Sequence, residues 1–177
     1  MGWRFKVEES SLLVVDMQEK LLPVMSDAEA VLRNVFILAQ AFQQFRRPLV
    51  FSEQYPQGLG HTLPELLAGM DQQVSVVEKT RFSVAGALAG FKSRTIIVSG
   101  IEAHICVRQT VLDLLEQGKN VVVAADAVAS RNPEHRQLAL DELRGRGVSV
   151  ASVESLLFDW LEDSRHPLFK TIAAMLK

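Results

Sequence analysis

Cysteine is nearly absent from this sequence: Cys106 is the single one in 177 residues. One thiol cannot close an intrachain disulfide, so folding needs no oxidising compartment and a reduced, cytoplasmic setting is expected. No apolar stretch reaches the ~18 residues needed to span a bilayer. The amino terminus, "MGWRFKVEESSLLVVDMQEK", carries charges on both sides of a short apolar run and lacks a small-residue cleavage pattern. No membrane partner is expected. Charge of one sign is also lacking: 19 Lys and Arg face 21 Asp and Glu, and the formal net charge of −2 offers no broad field for nucleic acid. No G-x-G-x-x-G follows the first apolar run, which disfavours a dinucleotide site. Linkers, internal repeats and low-complexity tracts are missing too, and a single domain over 1–177 is expected.

What the chain does contain is a series of short apolar runs with amphipathic segments between them. The runs are "SLLVVD" (11–16), "PLVFSE" (48–53), "VSVVEK" (74–79), "RTIIVSG" (94–100), "NVVVAAD" (120–126) and "VSVASV" (148–153). Their β-branched content and near-continuous hydrophobicity predict strands covered on both faces. The expected fold class is α/β: a three-layer α-β-α arrangement around a six-stranded, mostly parallel, doubly wound sheet.

Between the runs, Val31, Val35, Leu38 and Phe42 predict a helix over 27–45, with Ser26 or Asp27 available as its cap. A mostly buried helix is expected over 104–116, stopped by Gly118, and another from Asn132 and Pro133 to Gly145 or Gly147. Shorter helices are expected over 83–89, from Ser152 or Glu154 to Leu161, and over 166–175. The last would pack, within 166–177, on the domain or on a neighbouring subunit. Residues 59–70, rich in glycine and holding Pro64, read as a substrate-facing loop.

Ligands of open parallel sheets bind outside the carboxyl ends of the strands. Three runs bring reactive groups to that edge: Asp16 ends the first, Lys79 ends the third, and Cys106 follows the fourth at the start of a helix. Singly, each has a structural role open to it: a cap for Asp16, a solvated ammonium for Lys79, a small buried hydrophobe for Cys106. Jointly they form an activated-nucleophile set for acyl transfer. A helix amino terminus and a nearby ammonium favour the thiolate, and a carboxylate can take the thiol proton.

The stretches "LLVVDMQEKL", "VEKTRFS" and above all "VSGIEAHICVRQTVLDLLEQG" resemble the isochorismatase-like cysteine hydrolases, which include nicotinamidases and N-carbamoylsarcosine amidases. The resemblance covers nearly the whole chain and is nearest to small isochorismatase domain-containing proteins of unassigned substrate. It implies an isochorismatase-like, Rossmann-like fold, with Asp16 as general base, Lys79 as electrostatic partner and Cys106 as nucleophile. It also implies a cis Ile101–Glu102 peptide, with the Glu102 and Cys106 backbone N–H groups as an oxyanion hole. The expected reaction is hydrolysis of a small amide or related C–N bond through a thioester. Ether hydrolysis of the isochorismatase type and a weakly catalytic binding or scaffold protein are the alternatives. A homo-oligomer, dimer or higher, is implied as well.

The sequence departs from the nicotinamidases after the second run. There "FSEQYPQGLGHT" holds Glu53 and His61 but no Asp-x-His pair, and no catalytic metal or other cofactor is expected. Gln18, Tyr55, Phe82 and His104 are candidates for the pocket wall of a small-molecule substrate. Equally, Tyr55 would pin its loop, Phe82 would sit in the core, and His104 would face solvent or a neighbouring subunit. The Glu102 carboxylate is free to hydrogen-bond locally or to cap the helix. Arg81 would meet an acidic substrate group or form an exposed salt bridge.

Overall fold

A computed structural model describes residues 5–70, 74–88 and 92–177. Its six strands are β1 (Ser10–Val15), β2 (Leu49–Gln54), β3 (Ser75–Lys79), β4 (Thr95–Ile101), β5 (Asn120–Ala129) and β6 (Ser149–Ala151). They form one sheet in the order β3-β2-β1-β4-β5-β6, and every pairing is parallel. Chain order therefore reverses between β1 and β4, which places the switch point of the doubly wound sheet there. The expected α-β-α architecture is the observed one.

The helices are α1 (Ala28–Gln44), α2 (Pro56–Leu59), α3 (Pro64–Ala68), α4 (Arg108–Glu116), α5 (Pro133–Gly145), α6 (Val153–Leu161) and α7 (Phe169–Met175). None among the described residues is long and apolar enough to cross a membrane. Successive residues of a strand face opposite sides, and β1 divides its apolar side chains accordingly. Leu12 and Val14 join α1 and α6 in one core, whereas Leu13 and Val15 join α4 and α5 in the other. All six residues of β1 and all seven of β4 are buried, as central strands require. The α7 helix inserts Ile172, which is fully buried, into the α1 side of the same chain.

Several local expectations change. Asp27 lies in the left-handed region with φ 54° and makes no side-chain cap, because Ser26 and Asp27 form a turn whose serine instead bonds the carbonyl of Ser130 at 2.7 Å. The helix expected over 104–116 is two pieces, a π-helical turn at Ala103–Val107 followed by α4. Residues 59–70 are not a bare loop, since they hold α3. The short helix expected over 83–89 is a 3₁₀ turn at Ala85–Leu88, and residue 89 lies outside the described residues. Asn132 does cap α5, its side chain accepting the Glu134 N–H at 2.9 Å.

Two features shape the sheet edge where the strands end. At Gly100, φ is +106° and a Cβ would collide with the Val15 backbone, so β1 and β4 approach as only glycine permits. Farther out, the β4–β5 register shifts between Val98 and Gly100, leaving a bulge in β5. Arg136 reaches back from α5 to this region, donating to the carbonyls of Ala125 at 2.5 Å and Val128 at 2.8 Å. The freed acceptors thus keep partners.

Candidate active site

Asp16 is the first residue after β1 and stands in a left-handed conformation, φ 50°, that non-glycine residues seldom adopt. Its side chain is fully buried, and each carboxylate oxygen is occupied. Ser52 Oγ donates to Oδ1 at 2.7 Å, and Lys79 Nζ donates to Oδ2 at 2.7 Å. Lys79 reaches this point from the end of the edge strand β3 with its side chain only 6% exposed. A second donation from Nζ, to Gln54 Oε1 at 2.7 Å, fixes the ammonium from the β2 side. Gln54 is held in turn through its own Nε2, 2.8 Å from the Thr80 carbonyl. A buried ion pair repays its desolvation only when further hydrogen bonds complete it, and Ser52 and Gln54 supply them here.

Cys106 lies on the π-helical turn and is buried. Burial is the largest influence on its thiol and pushes the pKa up to about 12; the Asp16 charge adds to the rise and the Lys79 ammonium opposes it. The sequence reading expected the helix terminus and Lys79 to favour the thiolate. In the folded chain desolvation and the carboxylate outweigh them, which favours the thiol over the thiolate. The turn before it contains a cis Ile101–Glu102 peptide. The Glu102 carbonyl accepts the N–H groups of Ile105 at 3.1 Å and Val107 at 3.2 Å, and no backbone carbonyl among the described residues takes the Glu102 N–H.

The candidates for the pocket wall separate. Tyr55, 53% exposed, and Lys79 both line an open cleft of about 900 Å³ together with Val77, Arg81, Ser83 and Val84. Asp16 and Cys106 are not part of that lining, so Lys79 is the member of the three that reaches it. Phe82 is 52% exposed rather than core, and it too is absent from the lining. Gln18 is fully buried, and its amide ties the segment after β1 to Gln54 and to Gly60. His104 turns toward β5, where Nδ1 meets Ser130 Oγ at 2.9 Å and the ring stands 4.8 Å from that of His135. Burial holds its pKa below the ordinary histidine value, with Glu102 opposing.

In the stretch compared with the nicotinamidase metal site, Glu53 is engaged through both oxygens. It accepts the Thr62 N–H at 2.6 Å and meets His61 Nδ1 at 3.1 Å. Burial works against its ionisation, yet these partners leave its pKa below the ordinary value and hold that of His61 above. Among the described residues no three His, Cys, Asp or Glu side chains gather as a metal-ligand group.

Ser52, Gln54, Ser130 and Arg131 join Asp16, Lys79, His104 and Glu102 without a motif that marks them. A signal existed for the first two, since polar residues closing an otherwise apolar strand at the ligand-binding edge call for partners.

The isochorismatase domain matches residues 10–155. Isochorismatase domain-containing protein 2 of Danio rerio is 38% identical, covering 98% of this chain and 89% of that protein. The structure of the MAR1 ribonuclease from Caenorhabditis elegans superposes with a TM-score of 0.94 at 34% identity, covering 98% and 92% of the two chains. The YcaC gene product of Escherichia coli, described as an octameric hydrolase of unknown specificity, shares the fold with a TM-score of 0.90 at 21% identity, covering 99% and 90%.

Proposed function

Because this chain belongs to the isochorismatase domain family, a branch of the isochorismatase-like hydrolase superfamily, we propose that it is a cysteine hydrolase of small amides or related C–N compounds. The observation that carries this reading is the Asp16–Lys79 pair, closed at 2.7 Å and acting on the thiol of Cys106. In the proposed reaction Cys106 Sγ attacks the substrate carbonyl carbon while its proton passes to Asp16. A thiol favoured over its thiolate calls for this coupled transfer. The carbonyl electrons move to oxygen, where the Glu102 and Cys106 N–H groups receive the developing charge. As the C–N bond breaks, the amine or ammonia leaves with the proton held by Asp16. Asp16 next takes a proton from water, whose oxygen attacks the thioester, and Cys106 departs as the thiol. Lys79 keeps its cation against Asp16 throughout.

The relative named a ribonuclease raises RNA as a second substrate class. Against it, Lys79, the ammonium acting on the Cys106 thiol, is already paired with the Asp16 carboxylate. Phosphate diesters are poorly matched by that charge balance. A homo-oligomer is part of the same proposal, supported by the octameric E. coli protein, and mass measurement in solution tests it.

The chemistry is tested by intact-mass analysis after brief mixing with p-nitrophenyl acetate, followed by a panel of small amides and a short RNA. An acetyl adduct that forms on the unaltered protein, disappears with time and never forms on Cys106→Ala is expected, with amine release from at least one amide. Equal acetylation of Cys106→Ala, or RNA cleavage without any amide turnover, would remove the proposal.

A further inference from the structure

The segment just before Cys106 is gripped from outside by one loop, residues 130–131, between β5 and α5. The Glu102 carboxylate, on a side chain only 9% exposed, accepts the backbone N–H of Arg131 at 3.0 Å. Arg131 Nε adds a forked bond, 3.2 Å from each carboxylate oxygen. Its neighbour Ser130 bonds His104 Nδ1 at 2.9 Å through Oγ. The Ser130 carbonyl in turn receives the Ser26 N–H at 3.1 Å and the Ser26 hydroxyl at 2.7 Å. Ser26 belongs to the connection between β1 and α1, the same connection that begins with Asp16. One loop thus joins the segment carrying the proposed base to the segment carrying the proposed nucleophile.

Stability alone does not account for this arrangement. The Arg131 side chain is 62% exposed, and the Glu102 carboxylate also takes the Arg131 backbone N–H, so the guanidinium adds less to folding than a fully buried partner would. What it does is constrain direction. With the side chain of Glu102 clamped and its carbonyl engaged by Ile105 and Val107, the orientation of its remaining backbone group, the N–H, is set. We propose that the Glu102 carboxylate, held by Arg131, is the positioning group that aims the Glu102 N–H at the substrate oxygen. This role rests on the acyl-transfer reading above. Glutamine is a poor replacement, since it keeps one acceptor oxygen and turns an NH₂ toward donors of Arg131.

Two reactions of Cys106 separate aiming from general damage. Acylation by p-nitrophenyl acetate passes through an oxyanion, whereas alkylation by iodoacetamide displaces iodide at a saturated carbon and forms none. Losing an oxyanion donor costs ~10²- to 10³-fold, so a misaimed one in Glu102→Gln should slow acylation about tenfold or more. Alkylation should stay within about twofold, as a group outside the thiol's own contacts leaves its ionisation in place. Arg131→Ala, which keeps the backbone N–H but loses Nε, should fall between Glu102→Gln and the unaltered protein in the ratio of the two rates. The retained backbone N–H keeps one donor on the Glu102 carboxylate, and a urea unfolding curve checks that the variant folds. An unchanged ratio in both variants, or an equal fall of both reactions, overturns the positioning role. If the unaltered protein is alkylated at Cys106 but never acylated, the thioester chemistry fails and this role with it; normal acylation untouched by either substitution removes this role alone.

Discussion

The β1–β2–β3 half of the site and the β4–β5 half are built by different means. On the first side, Asp16, Ser52, Gln54 and Lys79 bind one another through short side-chain hydrogen bonds, with the Asp16 carboxylate fully buried and Lys79 reaching the cleft. On the second, Cys106 makes its approach through backbone shape: the Gly100 contact with Val15, the π-helical turn, and a loop that clamps Glu102 and His104. The contrast separates stability from chemistry. Removing a charge from the first half leaves its partner buried and unpaired, whereas altering most side chains of the second leaves no such debt.

The sharpest way to break that comparison is Lys79→Met. It strands the Asp16 carboxylate in a fully buried position, and loss of one partner from a buried pair costs ~3–5 kcal/mol. Urea unfolding beside Cys106→Ala, which removes only a sulfur, is the measurement. Equal losses in the two variants would erase the distinction. Next in size is Gly100→Ala in the other half, where the new Cβ meets the Val15 backbone at a φ that L-residues avoid. About 3 kcal/mol is expected, at the upper end for one strained backbone position, and a stability near that of the unaltered protein would show that β1 and β4 can part without cost.

The smallest effect concerns His104. Its folded pKa lies below the ordinary value of 6.5, first because of burial. As pH falls through 6.5 the unfolded chain takes up its proton first, so the folded state loses stability in the window just beneath that value. The melting temperature should therefore drop between pH 7.5 and pH 5.5 by more in the unaltered protein than in His104→Gln. Identical drops would mean that His104 does not contribute.

The strands were legible because each run was too short and too β-branched for a helix, and β1 and β4 show why the pattern was continuous: every residue is buried. The same pattern concealed the edges. Val76 of β3 is 39% exposed, and β6 pairs over three residues, although their sequences resemble the central runs. Which strand has neighbours on both sides is decided by strand order, and nothing local encodes it. Asp27 shows a similar limit, since a residue suited to capping was diverted once Ser26 found the Ser130 carbonyl across the sheet edge.

By itself, the sequence determined an α/β chain and the positions of its strands, and it marked Asp16, Lys79 and Cys106 as polar groups at or beyond their ends, because hydrophobic period and strand length are local properties. The tertiary structure alone decided that β1 and β4 meet at the switch point, that Ser52 and Gln54 complete the Asp16–Lys79 pair, and that burial pushes the Cys106 thiol pKa up. That last property reversed the local expectation for a physical reason. Ionisation depends on how completely water is excluded and which charges face the sulfur, and both are fixed by segments far from Cys106 in the chain.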